Sequence, residues 1–177
     1  MIKLIATDID GTLVKDGTLI IDPEYMTVIS KLIDKGIIFT VCSGRQFSSE
    51  QKLFAPIKDK LMYITDGGTV VRTPNRILKT YPMSNELWKD MCRMVRDELP
   101  ACDYFAASPD LCYAEDGASP IFHRLRDSYG FEMREIDDLT KLENDDIIKF
   151  TVYHPDSCEE LCSPHFIPAW KDKAHVT

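Results

Sequence analysis

Residues 2–12 read IKLIATDIDGT, an apolar run that ends in two aspartates and a glycine. Residues 4–6 predict a short buried strand, and in open α/β sheets the groups just past the carboxyl end of such a strand line the ligand crevice. Asp8 and Asp10 stand two positions apart, so on an extended chain both carboxylates point the same way. The stretch therefore predicts a ligand site at the carboxyl end of the first strand.

The turn that follows these aspartates is suited to an anion such as phosphate. Gly11 lets the backbone turn closely around a ligand, and Thr12 can hold the turn by hydrogen bonding. The four fixed positions of D-x-D-G-T arise by accident on the order of once in a thousand chains of this size. A purely structural turn or helix cap at a strand end is the alternative interpretation.

A second stretch repeats this pattern of a strand followed by polar groups. Residues 36–45 read GIIFTVCSGR, an apolar β-branched strand that ends in a hydroxyl, a glycine and a cation. Between the two strands, Asp22 and Pro23 predict the N-cap and first residue of a helix that Gly36 ends. Its apolar stripe is Tyr25, Met26, Ile29, Leu32 and Ile33. Because βαβ units place their strands in parallel, we expect Asp8 and Ser43 at one edge of the sheet.

Together these motifs resemble those of the haloacid dehalogenase superfamily, in the Cof-like phosphatase branch with a type IIB cap. Residues 8–12 (DIDGT) match the first motif, and residues 43–45 (SGR) match the second. Residues 65–68 (TDGG) stand where the family has an Asn-Gly pair, with Asp66 in place of Asn. The resemblance implies an α/β fold, with a partial Rossmann-like parallel-sheet core at residues 1–81 and an inserted α/β cap at residues 82–177.

The resemblance also implies roles for individual residues. Asp8 would be the nucleophile that forms an aspartyl-phosphate, and Asp10 would be the general acid and base. Asp8 and the main-chain carbonyl of Asp10 would be ligands of Mg²⁺. Arg45 is expected either to grip a second anionic group of the substrate or to form a salt bridge with a core acid. The phosphate-binding residues would be Ile9, Gly11, Thr12, Ser43 and Gly44.

The resemblance has a further consequence, because family members return from the cap to the core. That return supplies a lysine and an acidic metal-binding loop, and neither has a match before residue 177. We therefore expect an incomplete core, weak Mg²⁺ binding and slow turnover at best. The first strand should then be an exposed sheet edge, which predicts a homodimer, a domain swap or a partner chain that covers it.

Beyond residue 68 the pattern predicts shorter strands and amphipathic helices. The predicted hairpins cover residues 69–80 and 103–115, the helices residues 85–99, 119–130 and 156–162, and further strands residues 131–136, 147–154 and 166–176. Arg124, Arg126 and Tyr129 either reach toward a substrate or are solvated helix residues.

Composition excludes several functional classes. A formal charge of -8 argues against nucleic-acid binding, which needs a basic surface. No apolar run has membrane-spanning length, and the first strand leaves no room for a signal peptide. Six dispersed cysteines indicate a reducing cytoplasm. One cluster is either a zinc site or a set of buried structural residues: His154, Cys158, Cys162 and His165.

Three functions are consistent with these observations. The first is a Mg²⁺-dependent phosphatase of small phosphorylated metabolites, with sugar phosphates as the expectation that the family resemblance carries. The second is a catalytically inactive remnant that binds phosphorylated ligands or partners through Ser43, Arg45 and the cap. The third is a phosphomutase, whose aspartyl-phosphate would pass to a sugar rather than to water.

Overall fold

The N-terminal part of the chain forms a five-stranded sheet, the core sheet, whose strands follow one another in chain order. The computed structural model describes residues 2–15, 18–143 and 146–176. The strands are β1 (Leu4–Thr7), β2 (Ile38–Cys42), β3 (Met62–Thr65), β4 (Val70–Thr73) and β5 (Arg76–Thr80). β1, β2 and β3 are parallel to one another, whereas β4 pairs in antiparallel direction with both β3 and β5. The carboxyl ends of the first three strands therefore lie at one edge of the sheet.

Two helices accompany this sheet, α1 (Pro23–Asp34) and α2 (Phe47–Leu53). α1 begins as predicted, because the Asp22 side chain accepts the N–H of Glu24 at 2.9 Å and Pro23 occupies the first turn. Its apolar stripe packs on the sheet through Ile29, although the predicted stripe residue Tyr25 is exposed. The core of this part consists of Ile9, Val14, Ile29, Phe39, Val41, Phe47, Leu53, Phe54, Ile57, Leu61 and Tyr63.

β1 forms one edge of the core sheet, as predicted. The expectation that β1 is buried is wrong in part, because Leu4 is 54% exposed and its neighbour on β2, Ile38, is 51% exposed. The reason is that, within the described residues, β2 is the only strand that pairs with β1. The chain thus presents an apolar sheet edge.

The second half of the chain forms a four-stranded sheet, the cap sheet, in the order β8-β7-β6-β9. Its strands are β6 (Asp103–Ala107), β7 (Cys112–Ala114), β8 (Met133–Glu135) and β9 (Lys149–Tyr153). The predicted hairpin of β6 and β7 is confirmed, since the two strands pair in antiparallel register. The α/β class predicted from the sequence is likewise confirmed.

Helices cover the cap sheet. α3 (Asn85–Glu98) begins where the Ser84 hydroxyl accepts the N–H of Leu87, and it buries Trp88 and Val95. α4 (Pro120–His123) continues into a π-helical turn, Arg124–Ser128. α5 (Cys158–Leu161) and α6 (Ser163–Trp170) follow β9. No helix in the described part of the chain is both long enough and apolar enough to cross a membrane.

The predicted strand over residues 166–176 is wrong, because this stretch begins within α6. Phe166 and Trp170 lie four positions apart and share one helix face, which packs against Met91 and Val95 of α3. A short apolar run is compatible with a strand or a helix, and the partner surface decides between them. Here the partner is a helix, and the run forms a helix against it.

Candidate active site

The aspartates of the first motif lie directly after β1, beside the end of β2. Thr7 is paired with Val41 in the parallel register, so Asp8 follows one strand and Ser43 the other at the same sheet edge. The Asp8 side chain is exposed, whereas Asp10 is partly buried. The sequence-based expectation that the two motifs meet at one edge is therefore confirmed.

A tight turn holds the first motif in place. The carbonyl oxygen of Ile9 accepts the N–H groups of Thr12 at 3.1 Å and Leu13 at 2.8 Å, while the N–H of Gly11 donates to the carbonyl of Val14 at 2.9 Å. Gly11 has a φ of 76°, which favours glycine. The Ile9 side chain is in the core, and the turn itself uses the N–H groups of Gly11 and Thr12. The exposed Thr12 hydroxyl remains available to a ligand.

Arg45 and Asp10 form a bidentate ion pair. The Arg45 Nε donates to Asp10 Oδ2 at 2.8 Å, and Nη2 donates to Oδ1 at 2.6 Å. The same Nη2 donates to the carbonyl of Thr18 at 2.8 Å. Arg45 is 2% exposed, so this pair is largely shielded from water. Of the two alternatives for Arg45, the structure thus shows the salt bridge with a core acid, and this salt bridge orients the Asp10 carboxyl. Substrate binding by Arg45 stays a prediction.

The loop after β2 is bound to the loop after β3. The carbonyls of Ser43 and Arg45 accept the N–H groups of Gly67 at 3.0 Å and Asp66 at 2.9 Å. The Ser43 Oγ accepts the N–H of Arg45 at 3.2 Å, which leaves its O–H to donate to a ligand. Apart from Gly44 itself and its two chain neighbours, no atom of the described residues lies within 4 Å of the position that a Cβ of Gly44 would occupy. An anion can therefore approach this backbone closely.

Asp66, which replaces the family's Asn, is a buried carboxyl behind this loop. It adopts a φ of 53°, and the Thr65 hydroxyl donates to its Oδ2 at 2.7 Å. Burial raises the pKa of Asp66 to about 6, against the lowering effects of Thr65, Lys149 and Arg72.

Glu50 of α2 is a second buried acid near the site. Burial, with a smaller contribution from Asp66, raises its pKa well above the ordinary value. Neither of its carboxylate oxygens has a hydrogen-bond partner within the described residues. The sequence analysis did not identify Glu50, because a glutamate in a short helix gives no signal that it will be buried.

The cap sheet lies over these loops, and an open cavity of about 270 Å³ lies between them. The core side of the cavity consists of Asp10, Gly44 and Arg45. Its opposite wall consists of Phe105, Ile121, Leu125, Tyr129, Phe131, Lys149, Thr151, Val152 and Tyr153. A second cavity of about 280 Å³ is lined in part by Tyr104 and Glu115, and no residue from the loops after β1 and β2 lines it.

Of the three cap residues that the sequence singled out, Tyr129 lines the cavity. The guanidinium carbon atoms of Arg45 and Arg124 lie 5.1 Å and 5.7 Å from the centroid of the Tyr129 ring. Arg126 instead pairs with Asp127 at 2.8 Å. Sequence reasoning missed Lys149 and Thr151, although their alternate positions in a predicted strand were an available signal.

The cysteine and histidine cluster has a simple geometry. The Cys158 Sγ accepts the N–H of His154 at 3.2 Å, and the sulfur atoms of Cys102 and Cys162 lie 3.2 Å apart. Burial raises the pKa of Cys162, with further contributions from Cys102 and Cys158. Among residues 2–15, 18–143 and 146–176, no three His, Cys, Asp or Glu side chains are arranged to hold a metal ion.

Oxygen donors of the first motif fit Mg²⁺ in their chemistry. Mg²⁺ prefers oxygen ligands, keeps several waters and is commonly held by one or two carboxylates together with substrate phosphate. Asp8 offers an exposed carboxylate, and Asp10 offers a main-chain carbonyl in the adjoining turn. The Asp10 carboxylate is occupied by Arg45. The turn therefore carries two oxygen donors of the type that this ion prefers.

Comparison with known proteins gives a consistent match. Residues 5–177 match the model of the haloacid dehalogenase-like hydrolase family. The chain is 26% identical over 147 residues to 5-amino-6-(5-phospho-D-ribitylamino)uracil phosphatase YbjI of Escherichia coli K12, covering 81% of this chain and 52% of the relative. It is 32% identical over 87 residues to YwtE of Bacillus subtilis, a phosphatase named for the same substrate, covering 49% of this chain and 30% of the relative. The chain thus spans about half the length of YbjI and a smaller share of YwtE.

Solved structures share the fold. A crystal structure from Eubacterium rectale is 80% identical with a TM-score of 0.87, covering 99% of this chain and 66% of that chain. The HAD subclass IIB sugar phosphatase BT4131 is 17% identical with a TM-score of 0.69, covering 92% and 62%. The second likeness shows the fold alone.

Proposed function

The chain belongs to the haloacid dehalogenase-like hydrolases, and from this membership we propose that the protein removes the phosphoryl group from small phosphorylated metabolites through an aspartyl-phosphate. The observation that carries this proposal is the strand edge at which the exposed Asp8 and the Asp10–Arg45 pair stand beside Ser43 and Gly44. An exposed carboxylate next to an oriented one is the arrangement that nucleophilic phosphoryl transfer needs.

Two aspartates divide the chemistry between them. An oxygen of the Asp8 carboxylate attacks phosphorus, and the bond from phosphorus to the ester oxygen breaks. Asp10 enters this step protonated, with the oxygen that carries the proton turned from Arg45 toward the ester oxygen, and gives this proton to the departing oxygen, so the alcohol leaves neutral. In the second half Asp10 takes a proton from water, which attacks phosphorus and releases inorganic phosphate and the Asp8 carboxylate.

The loop after β2 provides the phosphoryl-binding groups of the proposal. The Ser43 hydroxyl and the Gly44 N–H donate to phosphoryl oxygens, because the Ser43 oxygen already accepts a backbone N–H and space around Gly44 is open. The exposed Thr12 hydroxyl can add a donor from the first turn. Ile9 and Gly11 contribute indirectly, because their backbone hydrogen bonds hold the turn that positions Asp8.

Asp8 and the main-chain carbonyl of Asp10 would hold Mg²⁺, which when bound screens the repulsion between carboxylate and phosphate. Two protein donors on one turn are few for this ion, so we expect weak binding. Titration calorimetry with MgCl₂ measures it. Tight stoichiometric binding by the 177-residue chain would contradict this expectation.

The relatives suggest which phosphate esters to try first. YbjI and YwtE are named for a ribityl phosphate and BT4131 for sugar phosphates, and all of these carry phosphate on a polyol or sugar. The cavity of about 270 Å³ is close to the lower end of the range for small-molecule pockets, roughly 300 Å³, so it suits a small phosphate ester. We therefore propose a polyol or sugar phosphate as substrate.

Hydrolysis of p-nitrophenyl phosphate, with and without Mg²⁺, tests the proposed function. Asp8→Asn removes the nucleophile and should lower the rate by roughly a thousandfold or more. Asp34→Asn, which changes an exposed aspartate at the end of α1, is the matched control and should match the unsubstituted chain. Equal rates for the unsubstituted chain and Asp8→Asn would contradict the proposal, and transfer of the phosphoryl group to a sugar would indicate a mutase instead.

A further inference from the structure

The cavity between the loops and the cap sheet has an unusual charge balance. Among its described lining residues the charged side chains are Asp10, Arg45 and Lys149. Asp10 and Arg45 neutralise each other through two hydrogen bonds, and Lys149 forms no ion pair with a described carboxylate. The cation available to a phosphate in this cavity is therefore contributed by the cap sheet.

The strand geometry of β9 explains why Lys149 points there. Side chains two apart on a strand share a face, so Lys149, Thr151 and Tyr153 lie on one side of the cap sheet. All three line the cavity. Phe150 packs on the opposite side, against the cluster formed with α3 and α6, and Val152 contacts both this cluster and the cavity. The alternation of β9 thus directs one polar row at the phosphate-binding loop.

Lys149 already contacts that loop. Its Nζ donates to the carbonyl oxygen of Gly44 at 3.2 Å, across 105 positions of sequence. The same ammonium group lowers the pKa of Asp66, which lies directly behind the loop, although burial has the larger and opposite effect. Lys149 is therefore within reach of an anion that binds at Ser43 and Gly44.

Thr151 is the second polar group in this row. Its Oγ1 is buried and has no hydrogen-bond partner among the described residues. A buried hydroxyl without a partner costs free energy, so its position in a ligand cavity points to a ligand that supplies the missing bond. Lys149 and Thr151 are two positions apart on β9, a distance of about 6.6 Å along the strand. A ligand whose phosphoryl group is at Lys149 therefore meets Thr151 with another of its groups.

We propose that Lys149 is a substrate-binding residue whose ammonium group pairs with the phosphoryl group, and that Thr151 hydrogen-bonds the alcohol portion of the same substrate. This inference rests on the proposed function and adds a requirement to it. The substrate is a small phosphate monoester with a hydroxyl or carbonyl group at a short distance from phosphorus. Because Lys149 belongs to the cap sheet, phosphate binding also holds the cap sheet against the core.

Titration calorimetry with inorganic phosphate tests the role of Lys149. Lys149→Met should weaken phosphate binding by roughly tenfold to a hundredfold, since it removes one charge-assisted hydrogen bond. Lys149→Arg keeps the charge and should bind within about threefold of the unsubstituted chain. Lys141→Met, which removes an exposed cap lysine outside the cavity, is the matched control and should not change binding.

Ribose 5-phosphate tests the role of Thr151. Thr151→Val should leave the affinity for inorganic phosphate unchanged and weaken ribose 5-phosphate binding by roughly threefold to tenfold, the value of one neutral hydrogen bond. Equal affinities of the two chains for ribose 5-phosphate would overturn the assignment of Thr151.

Several outcomes separate this inference from the proposed function. Unchanged phosphate affinity in Lys149→Met, or no phosphate binding by the unsubstituted chain, would overturn the role of Lys149. Phosphate binding that depends on Lys149 without hydrolysis of p-nitrophenyl phosphate would contradict the phosphatase proposal alone. Hydrolysis with an unchanged KM in Lys149→Met would contradict the inference and leave the phosphatase proposal standing.

Discussion

Arg45 shows how one side chain joins distant parts of the site. Its guanidinium lies between the Asp10 carboxylate, the Thr18 carbonyl and the ring of Tyr129. These partners come from the first motif, the loop before α1 and the segment after α4. A planar group with several fixed donors can satisfy them together, which a lysine ammonium group cannot do.

Arg45→Lys should therefore lower the free energy of unfolding by about 1–3 kcal/mol, because the bidentate contact with Asp10 is lost at a buried position. Urea denaturation measures the change. Arg93→Lys is a matched control, since Arg93 pairs with Asp90 on the exposed face of α3, and it should cost less than about 0.5 kcal/mol. Equal effects of the two substitutions would show that the Asp10 pair does not stabilise the fold.

Asp66 makes stability depend on pH. Folding raises the pKa of this carboxyl from 3.8 to about 6, so the folded chain binds more protons than the unfolded chain between these values. Stability from this group is complete below about pH 3.8 and is lost as the pH rises through about 6. A pKa difference between 3.8 and about 6 corresponds to a loss of about 3 kcal/mol.

Asp66→Asn should abolish this loss. Asparagine tolerates a positive φ, so the turn after β3 can be kept. The variant should gain stability relative to the unsubstituted chain between about pH 4.5 and about pH 8, by up to about 3 kcal/mol. Urea denaturation across this range measures it, with Asp34→Asn as a control for the removal of an exposed carboxylate. A constant difference at every pH would refute the predicted proton linkage.

At the scale of elements, Gln46 connects α2 to the cap sheet. Its side chain is fully buried and pairs with the backbone of Glu132 in both directions, accepting the N–H at 2.7 Å and donating to the carbonyl at 3.3 Å. It thus bonds the segment before β8 as a neighbouring strand would. Because Gln46 follows Arg45 directly, the position of the cap sheet and the orientation of Asp10 depend on the same short segment.

Gln46→Met should loosen this junction, since it leaves the N–H and the carbonyl of Glu132 without the glutamine partner. The expected cost is about 1–3 kcal/mol in the free energy of unfolding. Hydrogen exchange by mass spectrometry should show faster exchange at residues 130–134. Gln51→Met on the same helix is the control, and if it accelerated exchange equally, the Glu132 contacts would not be the cause.

At the scale of the whole molecule, the core sheet exposes apolar side chains at its β1 edge. Leu4 and Ile38 pair across β1 and β2, and Tyr25 and Val28 of α1 are exposed as well. An uncovered edge strand with apolar side chains favours pairing with another chain. The homodimer or covering partner expected from the sequence stays a prediction, and this edge is the surface on which it rests.

Leu4→Lys should therefore weaken self-association of the chain, because a lysine on an edge strand opposes pairing. Analytical ultracentrifugation over a range of concentrations measures this. Ile77→Lys changes an exposed apolar residue on the opposite edge strand, β5, and should have a smaller effect. A monomer at every concentration for the unsubstituted chain would contradict the expectation of a dimer.

The sequence alone predicted the features that depend on neighbouring residues. The βαβ unit, the N-cap of α1 at Asp22, the hairpin of β6 and β7 and the meeting of the two motifs at one sheet edge follow from periodicity, caps and parallel pairing. The N-cap and the hairpin are specified within short windows of the chain, and the meeting of the two motifs follows from the general rule that βαβ units place their strands in parallel. Local rules are sufficient there, because the interactions that stabilise these elements are themselves local.

Only the tertiary structure decided which distant side chains make direct contact. It placed Arg45 on Asp10, 35 positions away, and Lys149 on Gly44, 105 positions away, and it buried Glu50 without a hydrogen-bond partner among the described residues. It also made residues 163–170 a helix, because the apolar run packs on α3. Long-range contacts and burial depend on how the elements pack together, and no local pattern in the chain encodes that packing.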